Sequence, residues 1–349
     1  MNNQRLKWVD WLKALAIIGV IGIHCTSILL DNNILFSFKW YQGVICGSIF
    51  RYAIVTFIMA SGYLLLRKVQ PITVIPKRLK RILIPFIFWL ILYAVIKVAF
   101  KGVIGPTWNI FDLLTFIARG FLDPLGVSVQ FWYIYMILGL YVLSPILSRW
   151  IQNAKLEEIE YLLLIWAIIS LVQFIGLKSL LLDYLRYFTG AIGYFVLGYY
   201  LTIKDNSYLK NPYFGLKLFI IGSLITIIGT ITLSHIIGHQ TLFFIQLGDL
   251  TPGAFLQGVG LFIILYNMDY ERIPPRINTY ITKISKDSYG IYLVNILIVN
   301  VLNKIGILNF ESITIIMVFI MVFAVLIISD ILLDIMSKIP VLNYFTGKS

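Results

Sequence analysis

Histidine and cysteine are what this sequence has least of, and its 16 acidic side chains are well outnumbered by 28 lysines and arginines. Three histidines and two cysteines occur in 349 residues. Cys25 and Cys46 both sit in apolar surroundings without metal-ligand spacing, which excludes a disulfide framework and a zinc module, so no metal site is expected. Only 13% of the residues are charged while 60% are hydrophobic, too little polar material to cover a water-soluble globule. No long hydrophilic block separates the apolar runs, so residues 1–349 read as one integral membrane unit with no appended soluble domain. The first apolar run lacks a small-residue cleavage signature, and it reads as a retained span.

What is present is a series of apolar runs. Requiring about 20 predominantly apolar residues per crossing, the sequence predicts spans at 11–30, 43–66, 82–100, 128–147, 159–177, 186–201, 214–236, 251–268, 288–308 and 312–337. The sixth is short, and its start near Arg186 is the loosest boundary. The fold class expected is all-α, a polytopic bundle of about ten transmembrane helices with both termini cytoplasmic. Segment 108–122 is broken by Asp112 and Arg119 and reads as an interfacial or re-entrant piece.

The net charge of +12 would point to nucleic acid in a soluble protein, but here it reflects cytoplasmic loops. With the termini inside, only Lys39, Lys101, Arg119, Lys178 and Lys304 fall in outer loops, which is the positive-inside pattern of an even number of crossings. No internal repeat supports an inverted transporter duplication.

The first span, "WVDWLKALAIIGVIGIHC" over 8–25, holds Asp10, Lys13 and His24. Ionisable groups at bilayer depth are costly and mark function by default. Lys13 and His24 are eleven residues apart, which returns to nearly the same helix direction about 16 Å further along the axis; Asp10 lies close to that face. Asp10 and Lys13 read equally well as a snorkelling interfacial pair. His24 is the stronger functional candidate, because an imidazole at that depth is suited to accept and donate a proton.

Lys13, ten intervening residues and His24 resemble the signature of the acyltransferase-3 family of integral membrane acyltransferases, which usually has arginine at the basic position. The resemblance continues in order through "FIMASGYLLLRK" (57–68), "KRLKRILIPF" (77–86), "FWYIYMILGLYVLSPIL" (131–147), "GYFVLGYYL" (193–201) and "ISKDSYGIYLVN" (284–295). Two departures stand out. Lys13 keeps the charge of arginine without its planar fork. Where relatives read Tyr-Leu-x-His-Pro, this chain has Tyr292, Leu293, Val294, Asn295 and Ile296, so a mechanism needing a second histidine there has none to use.

The resemblance implies O-acyl transfer from cytoplasmic acetyl-CoA, or another acyl-CoA, to a hydroxyl of an extracytoplasmic or lipid-linked saccharide such as a cell surface polysaccharide. It implies a multi-pass protein of a bacterial cell membrane with no bound cofactor, partnered by lipid, acyl-CoA and saccharide and not by nucleic acid; the oligomeric state stays open. His24, with Asp10, becomes the candidate base or acyl carrier. Lys13, Lys77, Arg78 and Arg81 become candidate donor contacts, since both kinds of cation suit phosphates. Arg78 and Arg81 are three apart and share a helix face, whereas Lys77 and Lys80 read equally well as an anchor to anionic lipid.

Arg51 is expected to face the cavity and orient the acceptor or stabilise an oxyanion, with a rim position as its alternative. Trp108, Trp132 and Tyr133 read as belt residues or as a sugar platform at the outer mouth. Ser288, Tyr292 and Asn295 share a helix side, more as packing groups than as substrate contacts. Ser61 and Gly62 read as close-packing residues, and His235 with His239 is too poor a ligand set for zinc. The rival from another class is an exporter or flippase of a glycan or small acylated molecule, because buried charges also mark transport paths.

Overall fold

The computed structural model describes residues 6–32, 34–101, 109–174, 190–239, 251–305 and 315–348. Trp108 and the proposed span start at Arg186 lie outside them. The described residues are helical, with no strand among them. In chain order they form α1 (Lys7–Asn32), α2 (Phe38–Ile49), α3 (Tyr52–Leu66), α4 (Ile75–Lys101), α5 (Ile110–Leu122), α6 (Trp132–Asn153) and α7 (Leu156–Phe174). There follow α8 (Ala191–Ile203), α9 (Pro212–Ile237), α10 (Pro252–Tyr266), α11 (Pro275–Lys304), α12 (Ile315–Ser337) and the short α13 (Pro340–Asn343).

Among the described residues six stretches are long and apolar enough to cross a membrane: Lys7–Ile28, Phe38–Leu66, Ile72–Ala99, Val129–Asn153, Pro212–Ile237 and Ile315–Ser337. The other four expected crossings fall on α7, α8, α10 and α11. Glu157, Glu158 and Glu160 make the start of α7 polar, α8 and α10 are shorter apolar helices, and α11 extends well to the N-terminal side of the expected span.

Local chemistry sets the helix ends. Asn211 caps α9 by accepting from the Tyr213 N–H, Pro212 supplies its first turn, and Gly238 closes it at φ +76°, where glycine carries no Cβ penalty. Asn109 and Asp112 form a reciprocal capping box on α5, so Ile110–Leu122 is a separate helix. Its Phe111 and Leu122 side chains are exposed.

The bundle is apolar on its outside. Ile220, Leu224 and Ile228 repeat every four residues along α9 and are exposed, as are Ile316, Ile320, Phe323, Ile327 and Ile331 on α12; such faces suit lipid, not water. Inside stands α1, whose Leu12, Ala14, Ala16, Ile17 and Ile21 are fully buried. It packs against α11, α3, α2, α12 and α10. Asp10, Lys13 and His24 of α1 therefore face protein and its cavities, which is how a membrane helix tolerates them.

The second expected span is not one continuous helix. α2 ends at Ile49 and α3 starts at Tyr52, and Arg51 occupies the break, its Nε donating to Gly47 O at 3.0 Å. Below it, α3 touches α8 backbone to backbone. A Cβ at Gly62 would stand 1.8 Å from Phe195 O, and one at Gly198 2.0 Å from Met59 O. Small residues permit this approach, in the absence of a hydrophobic drive between helices in lipid.

Candidate active site: two cavities along the first helix

Lys13 and His24 open onto different cavities. The Lys13 cavity, of about 320 Å³, is walled by α1, α3, α4, α6 and α11 and by Gly347. Lys13, Arg78, Arg81 and Lys286 bring four cations to it, Phe57, Tyr133, Tyr141, Tyr289 and Tyr292 line it with rings, and no carboxylate is among its described lining residues. Lys13 Nζ donates to Ser285 O at 2.9 Å. Arg78 Nη2 donates to Gln70 Oε1 at 2.6 Å, and its buried Nη1 has no partner among the described residues. An unspent, charged N–H donor beside a cavity is suited to an anionic oxygen.

The His24 cavity, of about 920 Å³, is formed by α1, α4, α11 and residues 125–129. Around His24 stand Ser27, Ser128, Asn300 and Asn303, with Lys97 and Lys304. Lys97 Nζ donates to Gly126 O at 2.6 Å. These groups offer many donors and acceptors to a ligand rich in hydroxyls. The guanidinium of Arg51, buried in the α2–α3 break, is close enough to act electrostatically on the His24 ring.

A polar partition separates the two spaces. The Tyr292 hydroxyl, on the Lys13 side, donates to Gln130 O, and Ser128, on the His24 side, donates through Oγ to Gln130 Oε1. Gln130 is almost wholly buried between them. Beside it the Tyr93 hydroxyl donates to Leu293 O at 3.0 Å and accepts from Leu297 N at 2.9 Å. It thus stands inside the i, i+4 ladder of α11, one of the known ways a helix is locally opened. The Asn295 amide adds donors to this stretch, Nδ2 donating to Ile291 O at 3.1 Å and Tyr292 O at 2.7 Å.

The remaining candidates fall as follows. Asp10 is buried and accepts from Ser285 Oγ at 2.7 Å and Thr282 Oγ1 at 3.4 Å. It ties α1 to α11, about 21 Å along the helix axis from His24 by the 1.5 Å rise per residue, so the two do not form a dyad. Lys77 is exposed and outside the described lining of either cavity, unlike Arg78 and Arg81. Tyr133 lines the Lys13 cavity, and Trp132 packs edge-on against it at 6.1 Å without lining either space. The α6 register sends Tyr133 inward and its neighbour aside.

Asn295 lies within the α11 core, its Oδ1 buried without a partner among the described residues. His235 stacks on Phe36 at 3.9 Å and shares a 2.9 Å hydrogen bond with Tyr41. Sequence reasoning misses Tyr93, Gln130 and Lys286. Gln130 sits before an aromatic run and carries no periodic signal, while Lys286 reads in the sequence only as a loop cation.

Comparison with curated proteins finds no match, and comparison with solved structures finds none. A family model described as an acyltransferase domain matches residues 6–334, nearly the whole chain and both cavities apart from Gly347. This chain belongs to the acyltransferase-3 family of membrane acyltransferases.

Proposed function

We propose that the protein is an O-acyltransferase of a bacterial cell membrane that takes an acetyl group from cytoplasmic acetyl-CoA and moves it to a hydroxyl of an extracytoplasmic or lipid-linked saccharide. In this reading the chain crosses the membrane ten times with both termini inside. The Lys13 cavity faces the cytoplasm and holds the donor; the His24 cavity opens outward and holds the acceptor. The observation that carries the reading is the pair of chemically distinct cavities meeting at the Tyr292–Gln130–Ser128 partition, one ringed by cations and the other holding the imidazole.

The chemistry follows from these placements. The donor phosphates bind near Arg78, Arg81, Lys286 and Lys13, and the pantetheine arm runs along α1 toward His24, a distance of about 16 Å that an extended arm can bridge. The neutral imidazole of His24 accepts the proton of the acceptor hydroxyl as its oxygen bonds to the thioester carbonyl carbon. The C–S bond then breaks, and the proton passes to the departing thiolate, leaving ester and CoA–SH. Arg51 supplies fixed positive charge beside the site where the oxyanion develops.

The test uses purified protein in sealed liposomes with labelled acetyl-CoA on the face bearing the termini and candidate saccharides on the other. Label should reach saccharide with the wild type and fail to do so with a folded His24→Ala variant. Saccharide crossing the membrane while acetyl-CoA and longer acyl donors stay intact would replace this reading with export.

A further inference from the structure

Residues 344–348 follow α13 and lie beyond the region that the family model matches, yet 345–347 pack onto α4 and α11 and bring Gly347 into the lining of the Lys13 cavity. Phe345 stacks on Phe88 with centroids 4.5 Å apart and planes 8° from parallel, and its carbonyl accepts from Trp89 Nε1 at 3.0 Å. Thr346 is buried, and a Cβ at Gly290 would stand 2.1 Å from its carbonyl oxygen, so the segment lies directly on the α11 backbone. Gly347 lines the cavity. Its φ of +67°, and the 2.9 Å that a Cβ there would leave to Tyr289 Cδ1, admit only glycine without strain.

Lys348 ties the segment down. Its Nζ pairs with Asp334 and reaches Asp287 Oδ2 at 3.6 Å. The partner group holds three carboxylates, Asp287, Asp330 and Asp334, with oxygens within 4.8 Å of one another, and Lys283 answers two of them at 2.5 Å and 2.8 Å. Asp287 and Asp330 are buried. Without Lys348, three crowded carboxylates would lose one of the two cations that pair with them among the described residues, and buried charge left uncompensated is expelled or rearranged.

We propose that residues 345–348 are the closing wall of the donor cavity and that the Lys348 ion pairs, by seating this wall against Tyr289 and Gly290, determine how tightly the acyl-CoA is held. The proposal rests on reading the Lys13 cavity as the donor site. Lys348 is a positioning residue: it touches carboxylates and places Gly347, while Arg78 and Arg81 contact the donor.

The experiment has two readouts on the full chain. Thr346→Cys is labelled with a water-soluble maleimide, the wild type with its buried Cys25 and Cys46 serving as blank. Adding Lys348→Ala should raise the labelling rate, Lys348→Arg should restore the slow rate, and CoA should slow labelling in the parent. In turnover, Lys348→Ala should raise KM for acetyl-CoA about tenfold with kcat nearly unchanged, the pattern of lost ground-state positioning. Equal labelling of Thr346→Cys with and without Lys348→Ala overturns the latch. CoA that binds, by equilibrium dialysis, without slowing the label overturns the wall. A wild type that binds no CoA overturns the donor reading itself, and the wall's role falls with it. Because Lys348→Ala could loosen the fold, Gly347→Ala provides a second displacement of the wall with Lys348 intact, and it should raise KM in the same direction.

Discussion

The two cavities on either side of Tyr292 differ in what their walls can offer. The Lys13 cavity is the smaller, at about 320 Å³, and combines four cations with tyrosine and phenylalanine rings. The His24 cavity is nearly three times larger, at about 920 Å³, and offers hydroxyl and amide groups together with two lysines. Concentrated positive charge beside rings selects an anionic, partly apolar ligand, whereas dispersed donors and acceptors select a polyhydroxyl one. One bundle thus presents two recognition chemistries along a single helix, and the proposed reaction needs both.

Four substitutions break or sharpen this contrast. The largest effect belongs to His24→Ala, which should lower kcat by about 10²–10⁴-fold, the range for loss of a positioned base, with acetyl-CoA affinity retained; a liposome transfer assay alongside CoA binding reads both. Next, Arg78→Ala should raise KM for acetyl-CoA by about 10–100-fold, the equivalent of a lost hydrogen bond to a charged group, and leave the acceptor KM unchanged. Loss of acceptor affinity instead would reverse the assignment of the cavities.

Tyr292→Phe removes the hydroxyl that holds Gln130 O. A hydrogen bond of this kind is worth about 1 kcal/mol, so the partition should loosen and thioester hydrolysis without acceptor should rise several-fold, measured as free thiol release. The smallest effect is expected of Lys97→Met, in the lining of the His24 cavity. It should raise the acceptor KM by about twofold to fivefold, as for an exposed charge, with donor KM constant.

The legible parts of the molecule are those written in local pattern. The helical class follows from apolar runs, and the Lys13 to His24 interval follows from helix pitch. Gly62 is readable as a close-contact residue, and Arg78 with Arg81 as a shared face toward one space. Less legible are features that depend on which helix stands opposite. Asp10 shares a face with Lys13, but its partners Thr282 and Ser285, more than 270 positions away in the chain, draw it into the α1–α11 contact. Tyr133 and Trp132 are neighbours in a run that reads as a belt, and only the packing of α6 within the bundle separates their roles.

The break at Arg51 is hidden because the run 43–66 is predominantly apolar and Arg51 is its one charged residue. Composition reports that a run can span, and it is silent on whether the helix is continuous. Gln130 and Tyr93 are hidden for a similar reason: each acts through a group on another segment, Gln130 by receiving Tyr292 and Tyr93 by entering the ladder of α11.

By itself, then, the sequence determined an all-helical membrane chain with a charged first helix and a basic cluster, because hydropathy and the 3.6-residue period act over neighbouring residues. The tertiary structure alone decided that Lys13 and His24 line separate cavities, that Tyr292, Gln130 and Ser128 divide them, and that Lys348 anchors the segment carrying Gly347. Those outcomes depend on contacts between residues far apart in the chain, and such contacts exist only once the helices have packed.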